Sequence, residues 1–286
     1  MLRHRPDTLL SFGGYTALPL VVAARLTGIR TATHEQTTVI GLANRIIGKL
    51  SHRVYLSWPQ SAAFSDPAKT LVTGNPVREE VRSTHTDVFK LQDSAPVIYI
   101  TGGNQGANTI NWRLRDTIAE ILAVAQVIHQ TGSSELTKDY ERALQVREQL
   151  PDHLQKRYII RDRIFGKEIG EAFAKADLVV SRAGANTITE LLLLGKPALL
   201  IPIPWSSHNE QQKNAELVAE TGLATILTQY DAMPPQELRD AILTALGTVE
   251  QGKAFNGSSL AEAQTQASAL VKADAAAVIT ADLLLL

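Results

Sequence analysis

Residues 177–204 read DLVVSRAGANTITELLLLGKPALLIPIP: an apolar run, a turn containing glycine, a helical stretch and a second apolar run. The runs DLVVSRAG (177–184) and PALLIPIP (197–204) are apolar almost throughout rather than alternating, as strands buried on both faces are. The helical stretch 186–194 between them is a crossover that returns the chain to the same end of a sheet, so the two strands run parallel. This βαβ unit decides the class, and the rest of the chain repeats it.

Downstream of residue 95, PVIYITGG (96–103), AQVIHQTG (125–132), RYIIR (157–161) and LATILTQ (223–229) are further strands. Helical segments at 108–122, 134–149, 167–175, 208–221 and 234–248 separate them. Upstream, strands are expected at 7–12, 30–34, 53–58 and 69–74, with helices at 16–28 and 40–51. Residues 79–94 lack apolar periodicity and read as a linker. The expected organisation is α/β with two doubly wound domains. The first covers 1–78 and the second 95–265, and a last helix over 266–286 crosses back to the first.

Composition narrows the function. The 286 residues contain no cysteine, which excludes disulfide frameworks, thiolate zinc sites and a cysteine nucleophile. Lys and Arg number 28 against 29 Asp and Glu, a balance that argues against a nucleic-acid binder. No apolar run approaches the roughly 20 residues that cross a bilayer. The opening MLRHRPDTLLSFGG makes a poor signal peptide because Asp7 and a polar Gly-Gly interruption break it, so the chain reads as cytoplasmic.

In doubly wound folds ligands sit beyond the carboxyl ends of the strands, so the turns there carry the candidate chemistry. TGGNQGAN (101–108) has Gly102, Gly103 and Gly106 ahead of a helix; it suits a phosphate at the helix start, or simply a tight turn. SRAGANTITE (181–190) spaces Thr187 and Glu190 as a capping box, and by local logic the cap reading slightly outweighs a ribose-binding carboxylate. PIPWSSHNEQQKNA (202–215) offers carboxamides that match sugar hydroxyls, or a solvated helix start. FGGY (12–15) and THEQTT (33–38) complete the set: His34 and Glu35 suit acid–base work or a structural hydrogen-bonding site. No Asp-x-Asp, GxxxxGK[ST] or GxSxG occurs, so phosphate charge would fall to helix starts and side-chain cations.

Taken in order, FGGY, THEQ, GLANR, VTGNPVR, TGGNQGAN, IHQTG, ADLVVSRAGANTITE, GKPALLIPIP and HNEQQKNA resemble the MurG-type glycosyltransferases, which transfer N-acetylglucosamine from UDP-GlcNAc to lipid I to give lipid II in peptidoglycan synthesis. The resemblance runs from about residue 4 to the end. It implies a GT-B architecture and an inverting transfer without metal or other cofactor. It also implies a peripheral position on the cytoplasmic face of the membrane, where the lipid acceptor lies.

By motif match, Arg78 and the backbone at Gly166 would contact the nucleotide, with Gly166 at uracil. Asn104 would contact phosphate, and Ala185, Asn186, Thr187, Ile188, Thr189 and Glu190 would hold phosphate and ribose, with Glu190 on the diol. Gln211 would read the donor sugar, while Gly13, Gly14, Tyr15, Gly103, Gln105 and Gly106 would face the acceptor. The helix bearing Leu42, Ile46, Ile47 and Leu50 with Arg45, Lys49 and Arg53 reads as a core helix on its apolar side; its basic edge suits either solvent or anionic lipid.

Three positions depart from the family pattern: Asn104 stands where serine is usual, Thr37 where asparagine follows HEQ, and Leu18 where glycine precedes Pro19. Family members also begin with roughly ninety further residues, about half of a doubly wound domain, with a GGTGGH-like loop that carries the proposed base. The first domain is therefore expected to be incomplete, and His34 is the nearest base candidate in this chain. The alternatives are an inactive UDP-sugar-binding module, a two-chain enzyme that takes its amino-terminal segment from a separate chain, and a related enzyme such as a UDP-GlcNAc epimerase, which the HEQ and GNPVR motifs disfavour.

Overall fold

The computed structural model describes residues 6–64, 66–82, 86–92 and 94–286. The first five residues, and residues 83–85 and 93 of the expected linker, lie outside the described residues. In chain order the regular elements begin with β1 (Thr8–Ser11), α1 (Ala17–Leu26), β2 (Arg30–Glu35), α2 (Leu42–Leu50), β3 (Arg53–Leu56) and β4 (Thr70–Val72). Next come β5 (Val97–Thr101), α3 (Asn108–Val124), β6 (Gln126–Gln130), α4 (Asp139–Glu148), α5 (Asp152–Gln155), β7 (Tyr158–Arg161) and α6 (Lys167–Lys175). The chain continues through β8 (Leu178–Ser181), α7 (Ala185–Leu194), β9 (Ala198–Leu200), α8 (Glu210–Glu220), β10 (Ala224–Ile226), α9 (Pro235–Glu250), α10 (Leu260–Ala269) and α11 (Ala275–Leu285).

Two compact units divide these elements. Unit 1 comprises Met1–Val77, Trp205–Asn214 and Val271–Leu286; unit 2 comprises Arg78–Pro204 and Ala215–Leu270. Both sheets are parallel throughout. Unit 1 has the order β1-β2-β3-β4, and unit 2 the order β10-β9-β8-β5-β6-β7.

Unit 2 owes its core to the spacing of its apolar residues. Ile110, Leu114, Ile118 and Ile121 of α3 fall three and four apart and bury one stripe against Ile98, Ile100 and Val127 of the sheet, together with Leu238 and Ile242 of α9. Each such side chain removed from water is worth about 2 kcal/mol. The described residues of the 79–94 stretch are fastened to this unit: Val81 and Phe89 are buried, and the Glu171 carboxylate of α6 accepts the N–H groups of Val88 (2.9 Å) and Phe89 (3.1 Å).

In unit 1 the sheet packs against α11. Ala32 and Tyr55 meet Ile279, and Asp282 accepts hydrogen bonds from Arg53 Nε and Tyr55 Oη, both at 2.8 Å. Lys69 Nζ closes the end of α2 by donating to the carbonyls of Gly48, Lys49 and Ser51.

Residues 266–286 are not one helix, contrary to expectation. α10 ends at Ala269 and α11 starts at Ala275. α10 is launched by a capping box, with the Ser259 side chain on the Glu262 N–H and the Glu262 side chain on the Ser259 N–H.

Candidate functional site

In unit 2 the chain winds outward from β5 to β6 and β7 on one side, and from β8 to β9 and β10 on the other. The reversal falls between β5 and β8, whose last residues, Thr101 and Ser181, are register partners. TGGNQGAN and SRAGAN therefore leave the sheet side by side at the switch point, where such folds take ligands.

The first loop is shaped by two glycines with different duties. Gly106 has φ +77° and rests on the backbone of the loop after β6, where a Cβ would stand 2.1 Å from the Thr131 carbonyl oxygen. Gly103 has φ +75° and faces open space, with no atom within 4 Å of where a Cβ would be. Its N–H donates to Thr101 Oγ1 at 2.9 Å, which sets the turn. Asn104 and Gln105 are exposed beside it. Neither α3, with Ala107 at its N-cap, nor α7, with Gly184, receives a side-chain cap. Helix starts without a side-chain cap are the kind that suit an anion, and two of them meet at this edge.

Glu190 is not a capping residue. The N-cap of α7 is Gly184, and Glu190 lies in the second turn, where it accepts hydrogen bonds from Arg78 Nη2 (2.6 Å) and Arg78 Nε (3.1 Å). The carboxylate is 5% exposed and the guanidinium side chain 48%. Burial raises the Glu190 pKa, and the Arg78 charge opposes the rise. Within the expected binding stretch, Ile188 and Thr189 are buried, and the Thr189 hydroxyl donates to the Ala185 carbonyl at 2.8 Å. Ala185, Asn186 and Thr187 are the more accessible positions. Gly166 stands apart from the switch point: it caps α6 with φ +51° after the edge strand β7, next to the exposed Phe165.

The remaining expected residues fall in unit 1. The Gly13 N–H donates to Ser11 Oγ (3.0 Å) and the Gly14 N–H to Asn44 Oδ1 (3.2 Å), while Tyr15 is exposed. Asn44 Nδ2 donates to Glu35 Oε2 at 2.6 Å, and the Thr37 N–H and hydroxyl reach Glu35 Oε1 at 3.0 and 2.9 Å. Gly14, Tyr15, Glu35, Thr37, His208 and Glu210 line a cavity of about 210 Å³. Burial, and then the charge of Glu35, raise the Glu210 pKa. Gln211, the second residue of α8, donates its N–H to Ser206 Oγ at 3.3 Å. Leu18 is half-buried in the first turn of α1.

His34 does not line that cavity. Its ring is 0% exposed, Nε2 lies 3.0 Å from the Gly74 carbonyl oxygen, and Nδ1 is buried without a partner. Burial lowers its pKa. A base so enclosed has no path for an incoming proton, so this placement is that of a structural histidine. Sequence reasoning passed over Asn44 of α2 and Glu210 of α8, because a polar residue on a helix reads locally as solvated. Among the described residues no group of three or more His, Asp or Glu side chains could hold a metal ion.

Residues 97–273 match the glycosyltransferase family 28 C-terminal domain, and residues 1–56 match its N-terminal domain. The UDP-N-acetylglucosamine–N-acetylmuramyl-(pentapeptide) pyrophosphoryl-undecaprenol N-acetylglucosamine transferase of Desulfotalea psychrophila is 34% identical over 277 residues, covering 96% of this chain and 72% of that protein. The same-named enzyme of Nitratidesulfovibrio vulgaris is 36% identical over 239 residues, 81% of this chain and 61% of its own. The crystal structure of Acinetobacter baumannii MurG superposes with a TM-score of 0.71 at 27% identity, over 100% of this chain and 76% of that one. The chain thus spans 61–72% of the length of these two relatives.

Proposed function

The chain belongs to glycosyltransferase family 28, among its UDP-GlcNAc-dependent N-acetylglucosaminyltransferases of GT-B fold, and from that premise we propose that it transfers N-acetylglucosamine from UDP-GlcNAc to lipid I, giving lipid II in peptidoglycan synthesis. The observation that carries the donor half is the Arg78–Glu190 pair, set beside two uncapped helix starts at the switch point of unit 2.

In this reading the muramyl 4-hydroxyl attacks the anomeric carbon, the bond to UDP breaks with inversion, and the hydroxyl proton passes to a base. The N–H groups at the starts of α3 and α7, with Asn104, Ala185, Asn186 and Thr187 around them, stabilise the charge that develops on the departing diphosphate. Glu190, oriented by Arg78, accepts from the ribose diol, and Gly166 offers backbone to uracil. Gln211 reads the sugar, and Gly13, Gly14 and Tyr15, with Gly103, Gln105 and Gly106, serve the acceptor. The base comes from an amino-terminal segment such as the longer relatives have room for, supplied in the same or a separate chain.

The acceptor is a lipid, so the enzyme works at the cytoplasmic membrane surface as a peripheral protein. Support comes from α2, where Leu42 and Ile46 are exposed beside the exposed Arg45 and Lys49 while Ile47 is in the core. No helix among the described residues is long and apolar enough to cross a membrane.

One observation, the enclosure of His34, favours a second reading: a UDP-sugar-binding module without turnover. Titrating UDP-GlcNAc and assaying lipid II formation, each with and without a relative's amino-terminal fragment, separates the two. Lipid II formation supports the transferase. Binding without turnover under both conditions supports the module, and absence of binding removes the donor site altogether.

A further inference from the structure

Two guanidinium groups in unit 2 are buried without a counter-charge. Arg113 is 4% exposed and Arg182 is 8% exposed, and among the described residues neither meets a carboxylate. Arg113 donates to the carbonyls of Met233 (Nε, 3.0 Å), Thr109 (Nη1, 2.9 Å) and Tyr230 (Nη2, 3.2 Å). Arg182 donates to the Ile201 carbonyl (Nη1, 2.8 Å) and to Thr109 Oγ1 (Nη2, 2.6 Å). The Thr109 hydroxyl in turn donates a hydrogen bond to Gln229 Oε1 at 2.9 Å.

Both cations therefore converge on one residue, and its position matters. Thr109 is the second residue of α3, in the turn that follows TGGNQGAN. Arg182 directly follows β8 and precedes Gly184, the N-cap of α7. The shared partner thus lies in the first turn of α3, and Arg182 stands two residues before the N-cap of α7, at the two uncapped helix starts of the switch point. Burial, and then the charge of Arg113, lower the Arg182 pKa to about 10, so the group stays protonated at neutral pH. A carbonyl and a hydroxyl accept from its Nη1 and Nη2 but do not neutralise it. Removing an unpaired cation from water is costly, and helix starts, with their partial positive charge, add to the cost. An anion bound above them would offset it.

We propose that Arg182, seconded by Arg113, is the counter-charge for the diphosphate of the nucleotide donor, acting from below through the Thr109 turn rather than by contact. This inference rests on the donor-site reading and adds the groups that set its preference for a diphosphate over a neutral nucleoside. Arg182 is in this sense a positioning residue. It holds the first turn of α3 to the end of β9 and supplies field where the leaving group gains charge.

The test compares UDP with uridine by calorimetric titration of the whole chain across a range of salt concentrations. Arg182→Met is expected to lower UDP affinity about tenfold or more while leaving uridine nearly unchanged, and to flatten the salt dependence of UDP binding. Arg182→Lys is expected to restore most of the UDP-to-uridine ratio, which a purely structural role would not do. Thr109→Val keeps both cations but unhooks one, and is expected to fall between; it also decides the matter if Arg182→Met does not fold. A folded Arg182→Met that retains the wild-type ratio overturns the proposal, as does equal loss of UDP and uridine. If the wild type binds neither, the donor-site reading fails and this inference fails with it. If the wild type binds UDP and only the ratio is unmoved, the donor site stands and this inference alone falls.

Discussion

The two sheets are built from the same βα repeat but differ in one topological respect. In unit 2 the strand order reverses between β5 and β8, which opens a crevice between two glycine loops. In unit 1 the four described strands follow one another in chain order across the sheet, so no reversal exists among them. The unit with the reversal contains the buried carboxylate with its cation and the unneutralised arginines. The unit without it offers Glu35, Glu210 and a cavity, but keeps His34 sealed. A nucleotide site in such a sheet uses both sides of a switch point, and among the described strands only those of unit 2 present both.

The most damaging way to break this contrast is to lift the first glycine loop of unit 2 off the loop after β6 on which it rests. A methyl at Gly106 would meet the Thr131 carbonyl oxygen at 2.1 Å with φ at +77°, and backbone on both sides leaves nothing to yield. Gly106→Ala is expected to cost about 4 kcal/mol, from overpacking together with left-handed strain. A urea titration should show the loss, and UDP binding should vanish with it. A variant of wild-type stability would mean that the contact with the loop after β6 is not what shapes the first glycine loop.

Acid should weaken unit 2 next. His129 is fully enclosed, with Nδ1 2.8 Å from Tyr158 Oη and Nε2 2.9 Å from Asn111 Oδ1, and burial lowers its pKa from 6.5 to about 4. The folded pKa lies below the unfolded one. The stabilisation is therefore complete above pH 6.5 and is lost as pH falls towards 4, amounting to about 3 kcal/mol. His34 in unit 1 shifts in the same direction. Urea midpoints measured between pH 7 and 4 should fall steeply in the wild type and less steeply in His129→Gln. Identical slopes would show that His129 is not the group responsible.

The repeat itself was legible because buried parallel strands announce themselves as unbroken apolar runs, and each expected run contains a strand. α10 was missed for a physical reason: LAEAQTQASA buries only Ala263 and Ala267, so it lacks an apolar stripe, although Ser259 and Glu262 spell out its start. The pairing of Arg78 with Glu190 was not legible, since 112 residues separate them and the local signal at Thr187 and Glu190 favoured a cap. Arg113 and Arg182 were equally hidden. Sequence gives a basic residue no mark of burial, and it is the closing of α3, Ile201 and the 230–233 segment around the two guanidinium groups that strips their water.

A smaller perturbation separates affinity from stability within unit 2. Glu190→Gln is expected to weaken UDP-GlcNAc binding about tenfold by removing a charged acceptor. Stability should move the other way with pH. Because the folded Glu190 pKa is raised, the wild type loses stability as pH climbs from below the ordinary carboxylate range through the folded pKa, and the glutamine does not. The difference in thermal midpoint between the two should therefore shift in favour of the variant on going from pH 4 to pH 7. The half-exposed Arg78 is partly screened, which keeps the pair's own contribution modest. Unchanged UDP-GlcNAc affinity would reduce the carboxylate to an anchor for Arg78.

The least disruptive change probes the other side of the comparison. In unit 1 the Thr37 hydroxyl lies 2.9 Å from Glu35 Oε1 and 2.5 Å from the Val39 carbonyl oxygen, and its one proton can serve only one of them at a time. Thr37→Ala leaves the backbone N–H on Glu35, so the turn persists and the expected loss is about 1 kcal/mol. If the nucleotide belongs to unit 2, UDP affinity should be the same in Thr37→Ala as in the wild type, within titration error. A clear loss of UDP affinity from this single hydroxyl would mean that unit 1 holds part of the nucleotide, and the division of labour drawn from the two sheets would fail.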